Sequence, residues 1–356
     1  MNESQEWYGW RAFRVVGVGY EDPGCTVRTL RLAPADDEPL ASWRPGQFLT
    51  LRFEVPDPVS GQIREAVRCY TLSAGPGGGE YRISVKRLVS PRGLVSNHIH
   101  DRVQEGDRLL ARSPGGGFVL DAGRDPLVLI AGGIGITPML SMLEANFASR
   151  EPRETWLFYG ARNGEELVRR EYLEHLAQAR PDFHLRFCLS RPLPQDKAGV
   201  APVHVGHVEP DLVERIPSFA ACRYYVCGPT ALMAAMITGL RGLGVAEERI
   251  HHEAFGPASW LRAVAGSSGQ GVGHAVTFLR SGRTLAWEES AESLLEFAEN
   301  HGIALPCGCR SGACGTCEAL ILSGAVTYAE PPDYPPEEGH CLPCVARPSS
   351  DLALDL

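Results

Sequence analysis

The chain has 356 residues, of which 44% are hydrophobic and 22% charged, so it is long enough for two or three domains with separate packed cores. Its net charge of -9 disfavours nucleic-acid binding, because phosphate backbones attract proteins with a surplus of Lys and Arg. The sequence contains no internal repeat or low-complexity block, which excludes repeat and fibrous architectures.

Two features bear on location. Residues 1–9 lack the charged and apolar regions of a signal peptide, so we expect a cytoplasmic chain with reduced thiols. The longest run without a charged residue, 126–143, has 18 residues, but glycines and a proline lie in its middle. This composition favours a strand, a turn and a helix, and we expect no membrane span.

Residues 12 to about 120 alternate short β-rich runs with Gly, Pro and Asp turns, a pattern typical of an antiparallel β-barrel. The predicted strands are Phe13–Val16, Val27–Leu32, Gln47–Phe53, Tyr70–Ser73, Tyr81–Lys86 and Arg108–Ala111. We place this barrel domain at residues 1–122.

Two segments of the barrel carry groups that a flavin requires. Arg68 offers a guanidinium for a phosphate, Tyr70 a ring that can stack on the isoalloxazine, and Thr71 a hydroxyl or backbone amide for flavin N5. Gly93 opens a short helix whose free amides can bind a pyrophosphate. The first segment alone is weak evidence, because half-exposed strands commonly contain Tyr and Thr.

From Pro126 onward, alternating strand and helix patterns predict a parallel α/β sheet. The predicted strands are Leu127–Ala131, Thr155–Tyr159, Leu185–Leu189 and Tyr224–Val226, and the predicted helices are Thr137–Ala148, Glu165–Ala179 and Ala231–Leu240. We place this α/β domain at residues 123–257. A linker at 258–273 follows, and its Gly- and Ser-rich end predicts flexibility.

Two turns of the α/β domain suit a dinucleotide. Residues 131–138, Ala-Gly-Gly-Ile-Gly-Ile-Thr-Pro, let the backbone approach a pyrophosphate at the positive end of a helix. Residues 227–229, Cys-Gly-Pro, end a strand at the edge where open α/β sheets bind ligands. Considered alone, the glycines could serve plain packing and the cysteine could be a small buried hydrophobic residue. The predicted nucleotide-binding residues are Gly132, Gly133, Gly135, Thr137, Cys227, Gly228 and Pro229.

The third predicted domain, residues 274–356, contains a hairpin, a helix and a cysteine-rich loop. The hairpin pairs Val276–Leu279 with Thr284–Trp287, and the helix covers Ala291–Asn300. Residues 273–356 contain twelve acidic residues against four arginines. This surplus would steer the domain towards a basic face of a partner protein, although a generic solvated surface has the same composition.

The cysteine-rich loop predicts a metal cluster. Cys309, Cys314 and Cys317 have C-x4-C-x2-C spacing, and Cys344 can supply the fourth thiolate of a 2Fe-2S centre. Cys341 competes with Cys344 for the fourth position. A zinc site is an alternative, since the last two loop cysteines and the downstream pair form two C-x2-C motifs. The remaining cysteines are expected to be ordinary core or surface thiols.

Taken in chain order, the motifs of residues 12–257 resemble the ferredoxin-NADP reductase superfamily, in particular its flavohaemoglobin-reductase-like branch. Residues 45–48, 85–87 and 114–118 complete that pattern, and the cysteine loop with residues 344–348 resembles a plant-type ferredoxin of α+β β-grasp fold. The resemblance implies FAD as the flavin, with Thr71, Thr137, Cys227 and Glu253 in catalytic positions. The flavin-binding residues that it implies are Arg68, Tyr70, Thr71, Lys86, Gly93, Val95, Ser96 and Phe255.

This domain combination resembles the reductase components of multicomponent oxygenases. It implies a reductase that passes electrons from NADH through FAD and a 2Fe-2S cluster to an oxygenase of the Rieske-type or demethylase class. The alternatives are a different acceptor, namely a hybrid-cluster protein, a cytochrome P450 or a diiron monooxygenase, and a non-enzymatic electron-transfer subunit. Ser190, Arg191 and Arg162 could hold the 2′-phosphate of NADPH, whereas Glu165 and Glu166 favour NADH.

Overall fold

The computed structural model describes residues 7, 9–56, 61–90, 92–198, 201–217, 219–253, 255, 273–310, 312–329, 331–332 and 334–356. The chain divides into two compact units, of which the first takes in residues 1–66, 70–114 and 118–255 and the second takes in 67–69, 115–117 and 256–356. Of the predicted linker, only Gly273 lies within the described residues.

The first part of the first unit is an antiparallel sheet that curls into a barrel. Its strands are β1 Arg11–Tyr20, β2 Val27–Pro34, β3 Phe48–Pro56, β4 Ile63–Thr71, β5 Tyr81–Lys86 and β6 Arg108–Ala111, in the order β4-β3-β6-β1-β2-β5. A bridge between Leu72 and Ile83 connects the two edges of the sheet, which confirms the predicted barrel. Side chains alternate along β1, so Phe13 and Val15 point into the core. Helix α1, Leu94–Asp101, contributes Val95 and Ile99 to the same core.

The second part of the first unit is a parallel sheet with helices. Its strands are β7 Leu127–Gly132, β8 Thr155–Ala161, β9 Phe183–Leu189, β10 Val203–Val205, β11 Arg223–Cys227 and β12 Ile250–Glu253, and its helices are α2 Ile136–Ala148, α3 Arg170–Ala179, α4 Pro210–Glu214 and α5 Thr230–Gly242. The strand order is β10-β9-β8-β7-β11-β12, and every recorded pairing is parallel. The order therefore reverses between β7 and β11, which is where open α/β sheets bind ligands.

Helix α3 begins later than the sequence pattern predicts. The predicted start at Glu165 is wrong, because Gly164–Glu166 form only a short 3-10 turn. Leu167 and Val168 then turn inward and are buried in the core. Arg169 adopts a left-handed backbone with φ of 52°, and regular helix starts after it. Burial of two apolar side chains thus overrides local helix propensity.

The second unit combines a mixed sheet with one helix. Its strands are β13 Ala275–Phe278, β14 Arg283–Ala286, β15 Ala319–Ser323, β16 Val326–Tyr328, β17 His340–Cys341, β18 Ala346–Pro348 and β19 Leu352–Leu354. The main sheet has the order β14-β13-β19-β15-β17, and β16 pairs separately with β18. The predicted hairpin is present as the antiparallel pair β13 and β14.

The helix of this unit, α6 at Leu294–Asn300, is shorter than predicted because Ser293 caps it. The Ser293 hydroxyl accepts a hydrogen bond from the Glu296 amide at 3.2 Å. The apolar face of α6 packs Phe297 against Phe278 and Trp287. Among the helices of the described ranges, none is both long and apolar enough to cross a membrane. The apolar run at residues 126–143 folds as β7, a turn and α2.

Candidate functional site

The predicted nucleotide turn lies where the order of the parallel sheet reverses. Strands β7 and β11 are neighbours, and their carboxyl ends lead into the 3-10 turn Gly133–Gly135 and into Gly228. A Cβ atom on Gly228 would lie 2.9 Å from the amide nitrogen of Gly132, and a Cβ atom on Gly135 would overlap the carbonyl group of Cys227. The two turns are therefore in backbone contact, and glycine alone fits at these positions.

These turns form a backbone cradle with the donor set that a dinucleotide requires. Helix α2 starts directly after the first turn, and no side chain caps its N-terminus. The Ile136 amide already donates to the Gly133 and Ile134 carbonyls, and the helix dipole favours negative charge at this end of α2. The Thr137 hydroxyl donates a hydrogen bond to the Ile134 carbonyl at 3.1 Å, which fixes the first turn of α2. The residues present fit the pyrophosphate of a nicotinamide dinucleotide.

Cys227 and Glu253 lie side by side at the same edge of the sheet. They are register partners on β11 and β12, and Cys227 is fully buried. Burial, with a further contribution from the Glu253 carboxylate, raises the pKa of the Cys227 thiol well above its ordinary value. A thiol that stays protonated at neutral pH does not act as a nucleophile, so the geometry suits a positioning role.

The predicted flavin residues of the barrel lie at the end of β4. The pleat of the strand places Arg68 and Tyr70 on one face and Thr71, which is buried, on the other. The Thr71 hydroxyl therefore does not point the same way as the Tyr70 ring. Phe255 is 47% exposed, so its ring has free surface for an aromatic ligand.

The predicted phosphate helix α1 follows directly after Gly93, and no side chain caps its N-terminus. Val95 and Ser96 are buried, and the Ser96 hydroxyl accepts a hydrogen bond from the Leu88 amide at 3.3 Å. The side-chain amide of Asn97 donates to the Gly93 carbonyl at 2.6 Å, which holds the preceding loop against the helix. An uncapped helix start, the Arg68 guanidinium and two partly exposed rings are the groups that FAD needs, so the residues fit this cofactor.

Lys86 lies closer to the nucleotide turn than the sequence suggests. Its Nζ atom is 3.9 Å from the position that a Cβ atom on Gly133 would occupy. It is also 3.6 Å from Oε2 of Glu166, which forms a second ion pair with Arg162. Glu166 therefore pairs with Lys86 and also with Arg162, one of the two arginines that could attract the 2′-phosphate of NADPH.

The cysteine loop of the second unit folds its thiols inward. The Cys309 amide donates to Sγ of Cys314 at 3.3 Å, and the Ala313 amide donates to Sγ of Cys309 at 3.3 Å. Gly312 and Gly315 have φ of 75° and 65°, which is the left-handed region where glycine is favoured. Backbone amides aimed at sulfur are typical of iron–sulfur loops.

Cys344 reaches the loop cysteines, whereas Cys341 does not bond to them. Hydrogen bonds to the thiols of Cys309 and Cys317 raise the pKa of Cys344 above its ordinary value. Burial is the main cause that raises the pKa of Cys341 to about 12. The four thiols at 309, 314, 317 and 344 form contacting pairs, and this donor set fits a 2Fe-2S cluster.

None of the eleven cysteines, all of which lie in described residues, forms a disulfide.

Comparison with protein families identifies two of the domains. Residues 129–238 match the model of an oxidoreductase NAD-binding domain, and residues 276–349 match that of a 2Fe-2S iron-sulfur cluster binding domain. The chain thus joins an oxidoreductase NAD-binding domain to a 2Fe-2S iron-sulfur cluster binding domain. Both matches confirm the predicted resemblance, and the second one disfavours the zinc alternative.

Known proteins resemble the reductase module alone or both parts. The flavohemoprotein of Rhizobium meliloti (strain 1021) is 38% identical over 256 residues, which cover 70% of this chain and 62% of that relative. The FAD/NAD-binding domain of nitric oxide dioxygenase from Vibrio cholerae O1 biovar El Tor is 29% identical with a TM-score of 0.60, over 69% of this chain and 99% of that one. Phthalate dioxygenase reductase is 25% identical with a TM-score of 0.58, over 98% of both chains.

Proposed function

We propose that the chain is an NAD(P)H-dependent reductase that passes electrons from NADH, through FAD and a 2Fe-2S cluster, to a partner oxygenase. The observation that carries the proposal is that one chain contains both a dinucleotide cradle at a sheet reversal and four converging thiols. The likeness to phthalate dioxygenase reductase, described as a modular structure for electron transfer from pyridine nucleotides to [2Fe-2S], extends over both parts. An oxygenase of the Rieske-type or demethylase class is the partner that we favour.

Each part of the chain has a separate task in this proposal. We assign residues 1–122 to flavin binding, 123–257 to nucleotide binding and 274–356 to the cluster, with 258–273 as the linker. When bound, FAD converts paired electrons into single ones, and the cluster delivers single electrons. The residues themselves bind, orient and exclude water, and no proton transfer by a side chain is required.

The roles of individual residues follow from their positions. We propose that Thr137 and Cys227 orient the nicotinamide at the carboxyl edge of the sheet, since both lie beside the backbone cradle. Tyr70 and Phe255 cover the flavin ring, and Arg68 and the start of α1 hold its phosphates. Such positioning accounts for much of the rate in reactions without acid-base chemistry.

NADH is the nucleotide that we propose. Glu166 is only 13% exposed in its side chain and is paired with both Lys86 and Arg162. A 2′-phosphate brought to these cations would meet the carboxylate as well, which costs affinity through like-charge repulsion. A ribose hydroxyl meets no such penalty and can donate a hydrogen bond to a carboxylate.

The acidic second unit supports a basic docking face on the partner. Its arginines at 280, 310 and 347 are already paired with Asp355, Glu299 and Glu289. Exposed acids at Glu337 and Glu338 remain towards solvent. We therefore expect the rate of partner reduction to fall steeply as salt rises from 0.05 M to 0.5 M.

The proposal is tested by adding NADH to the purified chain without oxygen. Loss of the yellow flavin absorbance followed by loss of the brown cluster absorbance supports it, with NADPH in parallel to compare nucleotides. Iron and acid-labile sulfide are counted in the same sample, and zinc in their place contradicts the cluster assignment. A flavin that stays oxidised contradicts the reductase activity and favours a non-enzymatic subunit.

The acceptor is tested separately. Candidate oxygenases, cytochromes P450 and hybrid-cluster proteins are each supplied with the reduced chain, and product formation per NADH consumed is measured. Tight coupling with a non-oxygenase acceptor alone would overturn the oxygenase assignment while leaving the reductase assignment intact.

A further inference from the structure

The loop that follows the flavin motif is bonded to the helix that begins at the nucleotide turn. The hydroxyl of Ser141 on α2 donates to the Ala74 carbonyl at 2.7 Å. One helical turn later, Oε2 of Glu144 accepts a hydrogen bond from the Gly75 amide at 2.9 Å. A Cβ atom on Gly75 would lie 2.9 Å from Cβ of Glu144, so the loop backbone lies directly on the helix.

The other carboxylate oxygen of Glu144 accepts hydrogen bonds from two guanidinium groups. Oε1 accepts from Nη2 of Arg82 on β5 at 2.8 Å and from Nη1 of Arg169 at 3.2 Å. Arg82 also donates to the backbone carbonyl and the hydroxyl of Ser73. Glu144 thus has three donors, two from the barrel at Gly75 and Arg82 and one from Arg169, and its side chain is 24% exposed.

A second acidic residue, Glu21 on the barrel side, also belongs to this hydrogen-bond network. Glu21 accepts a hydrogen bond from the Ser84 hydroxyl at 2.5 Å, and its backbone carbonyl accepts from the Arg169 amide at 2.7 Å. The Ser84 hydroxyl also bonds to that of Ser73 at 2.8 Å. The negative charges of Glu144 and Glu21 balance the positive charges of Arg82 and Arg169. The network can therefore be partly buried without a net charge.

This network lies between the nucleotide turn and the flavin motif, which would hold the two groups that react. Ser73 lies two residues after Thr71, about 7 Å along an extended chain. Glu144 lies seven residues after Thr137, about 10 Å along the axis of α2. A shift of α2 against the loop would therefore move the nucleotide cradle relative to the flavin motif. A misplacement of about 1 Å can reduce a rate about 100-fold.

We propose that Glu144 is a positioning residue for electron transfer from the nicotinamide, one that fixes α2 and its nucleotide turn relative to the flavin motif. This inference rests on the proposed function, because it concerns the geometry of that reaction. Glu144 touches neither cofactor and acts through Arg82 and the loop 73–75.

The test measures flavin reduction by stopped flow, without oxygen, in holoenzyme carrying Glu144→Gln. The limiting rate at saturating NADH is expected to fall about tenfold, while the apparent dissociation constant of NADH changes less than about threefold. Arg82→Gln should give a similar loss, and the double variant should be no slower than the slower single variant, because both residues act as one unit.

The matched control is Glu151→Gln, which removes the same charge from an exposed pair with Arg124. Its limiting rate should stay within about twofold of the parent rate. Ser141→Ala removes only the neighbouring hydroxyl bond, and a loss of about threefold is expected even if Glu144→Gln proves hard to purify.

The outcomes separate the two proposals. If the parent bleaches with NADH but Glu144→Gln has the parent limiting rate per bound flavin, the positioning role is overturned, even if its melting temperature falls. If Glu144→Gln cannot be isolated, a parent-like rate in Ser141→Ala overturns it. If the parent itself does not bleach, the proposed function fails and the positioning role fails with it.

Discussion

The substitution Gly135→Ala tests the backbone cradle directly. A methyl group at this position would overlap the carbonyl of Cys227 and lie 2.8 Å from Cα of Gly228. Both obstacles are backbone atoms at the carboxyl end of the buried strand β11, so neither can rotate away. Overpacking of this kind costs about 1–3 kcal/mol, which is a loss of roughly 5 °C in melting temperature for a unit of this size. NADH affinity should fall as well, because the turn must move.

Substitutions of two other glycines provide reference values for the expected loss of stability. Gly133 has φ of 53° but no atom closer than Lys86 Nζ at 3.9 Å to its added Cβ, so alanine there costs about 1 kcal/mol of backbone strain. Gly242, the last residue of α5, has open space around it, and alanine there should be neutral or slightly stabilising. For each of the three variants, the melting temperature is measured by thermal unfolding and the NADH affinity by titration. A Gly135→Ala protein as stable as Gly242→Ala would refute the contact.

Three further predictions concern charge, ligation and pH. Glu166→Gln should shift the NADPH-to-NADH affinity ratio by about fivefold towards NADPH, and an unchanged ratio would place the 2′ position elsewhere. Cys344→Ser should abolish the visible and magnetic signals of the cluster while Cys341→Ser keeps them, and the reverse result would identify Cys341 as the fourth ligand. The buried Cys188 thiol has its pKa raised to about 12 by desolvation, so its stabilisation is complete below the unfolded value of about 8.5 and is lost as pH rises towards 12. The contribution of Cys188 to the unfolding free energy should drop by roughly 1.5 kcal/mol between pH 8.5 and 10, and the decline with pH should be less steep in Cys188→Ala.

The sequence predicts the carboxyl edge of the parallel sheet well, because buried strands there consist of apolar residues in an uninterrupted run. All six residues of β7 are buried, which produces the apolar run that precedes the glycine turn. A Cβ atom on Gly132 or Gly135 would clash with its neighbours, and Gly133 has a positive φ, so the turn appears in the sequence as a glycine motif. The cysteine loop is equally readable, since its ligands are close in sequence.

Short elements leave no periodic pattern. Strands β17, β18 and β19 contain two or three residues each and depend on pairing with distant partners. The left-handed backbone of Arg169 is likewise invisible in sequence, because arginine has no preference for that region. Tertiary packing, rather than local propensity, determines the backbone conformation of these strands and of Arg169.

Long-range ion pairs are the features that sequence cannot reveal. Arg82 and Glu144 are 62 residues apart, and the chain offers 34 basic and 43 acidic residues as possible partners. Nothing in residue type distinguishes this pair from exposed pairs such as Arg124 and Glu151. Only the close approach of the loop at Gly75 to α2 singles it out, because that contact removes water from one side of the carboxylate.

The two kinds of constraint should respond differently to substitution. A glycine in backbone contact has no alternative side chain, so any substitution at Gly135 displaces main chain and affects stability and NADH binding together. A carboxylate at Glu144 can be replaced by a neutral amide of the same shape, which keeps the packing and removes the charge. Loss of rate without loss of NADH binding is therefore expected at Glu144 and not at Gly135. If both variants lost rate and binding in the same proportion, the separation between cradle and positioning network would be wrong.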